Sequence, residues 1–185
     1  MEAAPEVFEL SMKVREGRGL SKVDEWNLNE IAEASGWDVE DVVEDLKSLG
    51  ADPRKRRRRC RSLFEKYFGQ AMELRDRGND VGAAGKLWGA ITALVKAHAD
   101  ERGVSVEYWS KRSLDRFVSS FVKEEAREKF EDLLTYGGEL HRHFCVERLP
   151  RKLFERRWSE CVELIREILE ARRAGGGIRR VGEGA

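Results

Sequence analysis

Proline stands at only three positions, Pro5, Pro53 and Pro150, and the long stretches between them carry apolar residues at intervals of three and four. Phe64, Tyr67, Phe68, Ala71 and Leu74 form one stripe, and Ala84, Leu87, Trp88, Ile91, Leu94, Val95 and His98 a second. Leu114, Phe117, Val118 and Phe121 make a third; Phe130, Leu133, Leu134, Gly137, Leu140, His141 and Phe144 a fourth. The fifth runs through Phe154, Trp158, Cys161, Val162, Ile165, Ile168 and Leu169. Such spacing gathers side chains on one face of an α-helix, whereas a half-buried strand alternates. Each stripe predicts a helix with one buried face, near 62–77, 80–102, 107–121, 123–147 and 151–173. The breaks at Gly78 with Asn79, at Gly103 and at Leu149 with Pro150 are short, which makes consecutive helices antiparallel neighbours. The expected fold class is all-α, an antiparallel helical bundle.

Charge divides the chain further. Lys plus Arg equals Asp plus Glu at 35 each, so no net field draws the molecule toward nucleic acid or an anionic membrane. From Met1 to Asp52, however, fourteen acids face five bases, and "RKRRRRCR" from Arg54 to Arg61 then reverses the sign. The reversal predicts an acidic module over 1–53, a basic linker over 54–61, the bundle over 62–173, and a disordered tail, "AGGGIRRVGEGA", over 174–185. No stretch approaches the roughly 18 apolar residues of a membrane span, and "MEAAPEVFEL" lacks the basic-then-apolar order of a signal peptide. A cytoplasmic protein without membrane contact is expected. Cys60, Cys145 and Cys161 show no CxxC or Cys/His spacing, so they read as reduced thiols, two of them in the core, with no metal and no cofactor indicated.

Four features bear on chemistry. "GAAGK", Gly82 to Lys86, looks like part of a phosphate loop, but that loop needs G-x-x-x-x-G-K-[ST] after a buried strand. Here Asp80 replaces the first glycine, Leu87 the hydroxyl, and a helix precedes, so Gly82, Gly85 and Gly89 are expected to let a neighbouring helix come close. His141 and His143 are two apart, and on a helix they diverge by about 200°, which a single metal cannot bridge. His141 and His98 continue apolar stripes and read as core histidines; with Lys96 they are the candidates for a functional site. "LNEIAEASGWDVEDVVEDLKSLG" sets Ala32, Gly36 and Val42 at helix-turn-helix spacing in a trihelical module. Its second helix is acidic and would repel phosphate, so protein contact is favoured over DNA. Arg54, Lys55, Arg56, Arg57, Arg58, Arg59 and Arg61 are the one concentrated positive field and the candidate nucleic-acid contact; no aromatic strand platform accompanies them.

Two longer stretches carry a family likeness. "FEKYFGQAMELRDRGNDVGAAGKLWGAITALVKAHADERG" and "YGGELHRHFCVERLPRKLFERRWSECVELIREIL" resemble the archaeal paREP family of the first type and, more distantly, the HEPN-like helical superfamily. The likeness rests on Lys86, Trp88, Ala90, Val95, Lys96 and Ala97, then Leu140, His141 and Phe144, and covers roughly residues 58–173. It implies an antiparallel, HEPN-like bundle that often self-associates. Catalytic HEPN proteins cleave RNA with an Arg followed four to six residues later by a His; neither His98, His141 nor His143 has that partner. The expected protein is therefore a non-catalytic helical interaction protein, a homodimer closed partly through Gly137 and Gly138, with a protein partner. The alternatives are a nucleic-acid-binding regulator using the helix-turn-helix and the arginine run, and a HEPN-like ribonuclease lacking the usual motif.

Overall fold

A computed structural model describes residues 5–104 and 110–177. Eight helices follow one another: α1 Pro5–Arg15, α2 Lys22–Ser35, α3 Val39–Lys47, α4 Pro53–Asp76, α5 Asp80–Glu101, α6 Lys111–Phe121, α7 Glu124–Cys145 and α8 Arg151–Gly177. The fold is all-helical, with no strand among the described residues. Local chemistry fixes the helix starts. Ser21 and Asp24 form a reciprocal capping box on α2, Asn79 accepts from the Gly82 amide on α5, and Ser110 accepts from the Ser113 amide on α6. Each cap satisfies backbone donors that a helix leaves unpaired at its first turn.

The expected start of α4 at residue 62 is corrected to Pro53, so the basic run is not a linker but the first two turns of a helix. Asp52 accepts from the Arg54 amide and Pro53 occupies the first turn, where its missing N–H costs nothing. Repulsion within the run is relieved by pairs across the fold: Arg56 Nε lies 3.0 Å from Asp100, and Arg59 donates to the Asp41 carbonyl at 3.1 Å. The tail expected from 174 overlaps the end of α8, and 178–185 lie outside the described residues.

α5 departs from the one-faced pattern. Every residue from Leu87 to Asp100 is buried. Its second and third faces are built from Ala83, Ala90, Ala93, Ala97, Gly85 and Gly89, small enough for helices to surround it; a helix apolar all round belongs at a centre. One core joins α5 to Phe117, Phe130, Leu133, Phe154 and Ile165 of the later helices. A second core joins Ala90 and Ala93 of α5 and Tyr67 of α4 to Leu10, Leu28, Trp37, Val42 and Leu46. The N-terminal helices thus share their core with the bundle instead of standing apart from it.

Glycine makes that junction possible. Gly36 has φ 72, a left-handed conformation in which L side chains are strained, and it ends α2. A Cβ on Gly89 would sit 2.6 Å from the Gly36 carbonyl oxygen, so α5 approaches this turn at a distance no alanine permits. The expectation that these glycines serve packing holds for Gly89. Gly137, expected at a dimer contact, is filled from within: its Cβ would lie 2.5 Å from Ile91 Cδ1. Gly138 likewise faces Lys111, at 3.0 Å from Cε.

Candidate functional site

The acidic module meets an internal interface whose cations are Lys66 of α4 and Lys86 and Lys96 of α5, with Arg59 the member of the basic run that reaches it. Lys96 is 6% exposed and pairs with Asp45, 3% exposed, while its ammonium lies 5.2 Å from the Trp37 ring centroid. Asp38 receives Lys86 at 2.7 Å and Lys66 at 3.1 Å; Asp41 receives Lys66 at 2.6 Å and the Tyr67 hydroxyl. Cys60 lies beside Asp100 at 3.8 Å, and burial pushes its thiol up to about 12, which leaves it un-ionised. Two tryptophans lock the same junction reciprocally: Trp37 Nε1 donates to the Gly89 carbonyl and Trp88 Nε1 to the Ala34 carbonyl, each at 2.8 Å. Lys96, a functional candidate in the sequence, is thereby a structural cation.

The histidines are also absorbed into packing. His98 is 6% exposed, stacks on Phe130 at 4.7 Å and meets Phe117 edge-on at 6.3 Å. Burial holds its pKa below the ordinary value, although Glu101 lies 3.6 Å away and pulls the other way. Glu101 itself is held down at about 2: burial would raise it, but His98 and Arg172 outweigh that. His141 stacks on Trp88 at 5.3 Å, and burial lowers its pKa too. His143 accepts from the Leu149 amide at 2.7 Å, fixing the turn between α7 and α8. His98, His141 and Lys96 do not converge on one place. Among the described residues no group of three or more His, Cys, Asp or Glu could hold a metal ion, and no helix is long and apolar enough to cross a membrane.

The arginine run separates into two sets. Arg56 and Arg59 are committed to Asp100 and Asp41, and Arg61 reaches Glu101 at 3.0 Å. Arg54, Lys55 and Arg58 are exposed, with no ion pair among the described residues, and Arg57 is half-buried. Arg172 of α8 shares Glu101, and Arg173 beside it is exposed. The start of α4, the end of α5 and the end of α8 thus form a basic pole. The two α8 arginines were missed in the sequence because only antiparallel packing brings them to residue 61.

At the opposite end of α5 lies an open groove of about 560 Å³. Its floor is Gly82 and Gly85, its walls Trp37, Leu74 and the α2 residues Ala32 and Gly36, and its rim Trp26, Glu30, Glu33, Lys86 and Phe144. Trp26 is 61% exposed and Phe144 44%. Phe144 therefore departs from its expected core position: it lies against the Gly85 surface, 3.1 Å from where a Cβ would stand. Glu30 and Glu33 are exposed and make no ion pair among the described residues, whereas Lys86 is spent on Asp38. The face of α2 that carries Trp26 is followed one and two turns on by these two carboxylates, a pattern readable in the sequence but masked there by the general acidity of the module.

No curated protein and no solved structure matches this chain. A family model does match, over residues 59–165, from the basic run to the middle of α8, taking in the central helix and the α7–α8 pair that packs on it. That is more than half of the sequence, and it begins after the N-terminal helices, so the groove is built half inside and half outside the shared region. The chain belongs to the archaeal PaREP1/PaREP8 family.

Proposed function

We propose that this protein is a non-catalytic helical interaction protein, and that its docking site is the groove between α2 and the first turns of α5. The observation that carries this reading is an exposed aromatic pair, Trp26 and Phe144, flanking a glycine floor beside two carboxylates without a cationic partner among the described residues. Large exposed aromatics around a concave surface are what partner proteins use as anchors. Uncompensated Glu30 and Glu33 select the partner's charge. The fitting partner is a cationic, amphipathic segment that lays apolar side chains between Trp26 and Phe144 and a base on each glutamate. Support for a non-catalytic role is that Lys96, His98 and His141 are each engaged in packing and do not line one cleft together.

The test is direct. A fluorescent synthetic helix with leucines at i, i+3, i+4 and i+7 and arginines between should bind, and its affinity should fall at least about tenfold with Trp26→Ala or with Glu30→Arg plus Glu33→Arg. Arg116→Gln, exposed on α6 and outside both the groove and the basic pole, should leave it unchanged. Equal affinity in all variants overturns the reading.

A second reading, nucleic-acid binding, is favoured by the basic pole, where Arg54, Lys55, Arg58 and Arg173 are exposed. It concerns phosphate contact alone, because the exposed positions of α3 include Glu40 and Glu44 and these repel a DNA backbone. Replacing Lys55 and Arg58 by Gln should lower the slope of log affinity against log salt by about two for duplex DNA if the pole contacts phosphates. Cutting of structured RNA that His141→Ala abolishes, with the fold intact, would favour the ribonuclease alternative instead.

A further inference from the structure

We propose that the groove receives the stretch Ile178-Arg179-Arg180-Val181 from a second copy of this chain. The inference rests on the reading of the groove as a docking site for a cationic amphipathic segment, and it names the segment. The stretch lies outside the described residues; its sequence sets two guanidinium groups between two branched aliphatic side chains. Glu30 and Glu33 are three apart on α2 and so stand on one face of that helix. Carboxylates take guanidinium groups through paired, charge-assisted hydrogen bonds. Ile178 and Val181 then meet the apolar surface offered by Trp26 and Phe144, and Glu183 lies beyond the seated residues.

Reach decides that the segment comes from another molecule. α8 ends at the basic pole, where Arg172 pairs with Glu101 at the close of α5. The groove lies at the other end of α5, around Gly85; the sixteen residues to Glu101 span about 24 Å at helical rise. Four extended residues after Gly177 cover about 14 Å at most. The chain's own Arg179 and Arg180 therefore fall short of its own groove.

Charge decides the orientation of the pair. Two grooves facing each other would set Glu30 and Glu33 against their own copies. Groove against pole brings these acids to Arg54, Lys55, Arg58 and Arg173, exposed at the pole toward which α8 runs. An antiparallel, two-fold arrangement lets each copy give one tail and take one, which closes the assembly at two. The faces of α7 around Gly137 and Gly138, already filled by Ile91 and Lys111, are not required.

Light scattering at low salt tests this with the full chain, a chain ending at Gly177, and three charge variants. The full chain should have the mass of a pair. The shortened chain, Glu30→Arg with Glu33→Arg, and Arg179→Glu with Arg180→Glu should each have the mass of one chain, with unchanged helical circular dichroism. Combining the four substitutions should restore the pair. A labelled peptide of residues 174–185 should bind the shortened chain and lose at least about tenfold in affinity against the Glu30→Arg, Glu33→Arg variant. A shortened chain that still pairs, or a fourfold variant that stays single, overturns the inference. If the arginine–leucine helix still binds the shortened chain in a Trp26-dependent way, the docking reading survives that result; if it does not, both fall.

Discussion

Lys96 and Asp45 illustrate how single residues settle the relation between the two halves of the chain. Both are nearly sealed from water, and their ion pair crosses from α5 to α3. A buried pair compensates desolvation only while both partners remain, so Lys96→Met should cost about 3–5 kcal/mol by leaving Asp45 without its cation. Lys96→Met with Asp45→Leu should recover most of that loss, because apolar packing substitutes for a buried pair far better than a lone charge does. Urea denaturation of the single and double variants measures it; a double variant no better than the single would remove the pairing argument. The histidines supply a pH dependence. Burial holds His98, His141 and His143 below the ordinary 6.5. As pH falls through that value the unfolded chain takes up protons that the folded chain refuses, so the unfolded state binds more and stability drops. The melting temperature should fall between about pH 7.5 and 5.5, and His98→Leu should flatten that fall. A steeper fall in the variant would contradict the sign.

At the level of elements, the arginine run is a helix whose residues divide by direction. Arg56→Gln strips buried Asp100 of its cation, and Arg59→Gln removes a bond to the Asp41 backbone, so both should lower the melting temperature. Arg54→Gln, Lys55→Gln and Arg58→Gln, exposed and without ion pairs among the described residues, should not. Thermal scans of the five variants check the division, and uniform effects would refute it. The limits of α5, α7 and the start of α8 were legible within two residues, because apolar spacing and capping residues agree there. The start of α4 was not: charge composition suggested a linker, while the pairs that neutralise Arg56 and Arg59 lie 44 and 18 residues away along the chain. Gly89 announced a close approach by its cost in a helix, but nothing local identified Gly36 as its neighbour. Of the groove, the sequence showed Phe144 only as the end of a helical stripe and gave no place to Trp26. That both line one groove depends on the crossing at Gly36, which no periodicity encodes.

For the whole molecule, the decisive question is whether the acidic helices form a separate unit. The sequence suggests so, and the family match, beginning at residue 59, agrees with that division in outline. The packing points the other way. Removing residues 1–52 would uncover Tyr67, Ala90 and Ala93, take away both tryptophan clasps, and leave Lys66, Lys86 and Lys96 without Asp38, Asp41 and Asp45. Of these, Lys96 is the most costly, since it is sealed among apolar side chains on the central helix. A chain beginning at Pro53 should therefore unfold at much lower denaturant than the full chain, or fail to fold cooperatively. In the full chain, tryptophan fluorescence and far-ultraviolet circular dichroism should report one coincident transition, because Trp37 of the first half and Trp88 and Trp158 of the second are all buried in cores that meet on α5. Two separated transitions, together with a chain from Pro53 that keeps its full stability, would establish independent units and would make the groove a joint between domains instead of a feature of one fold.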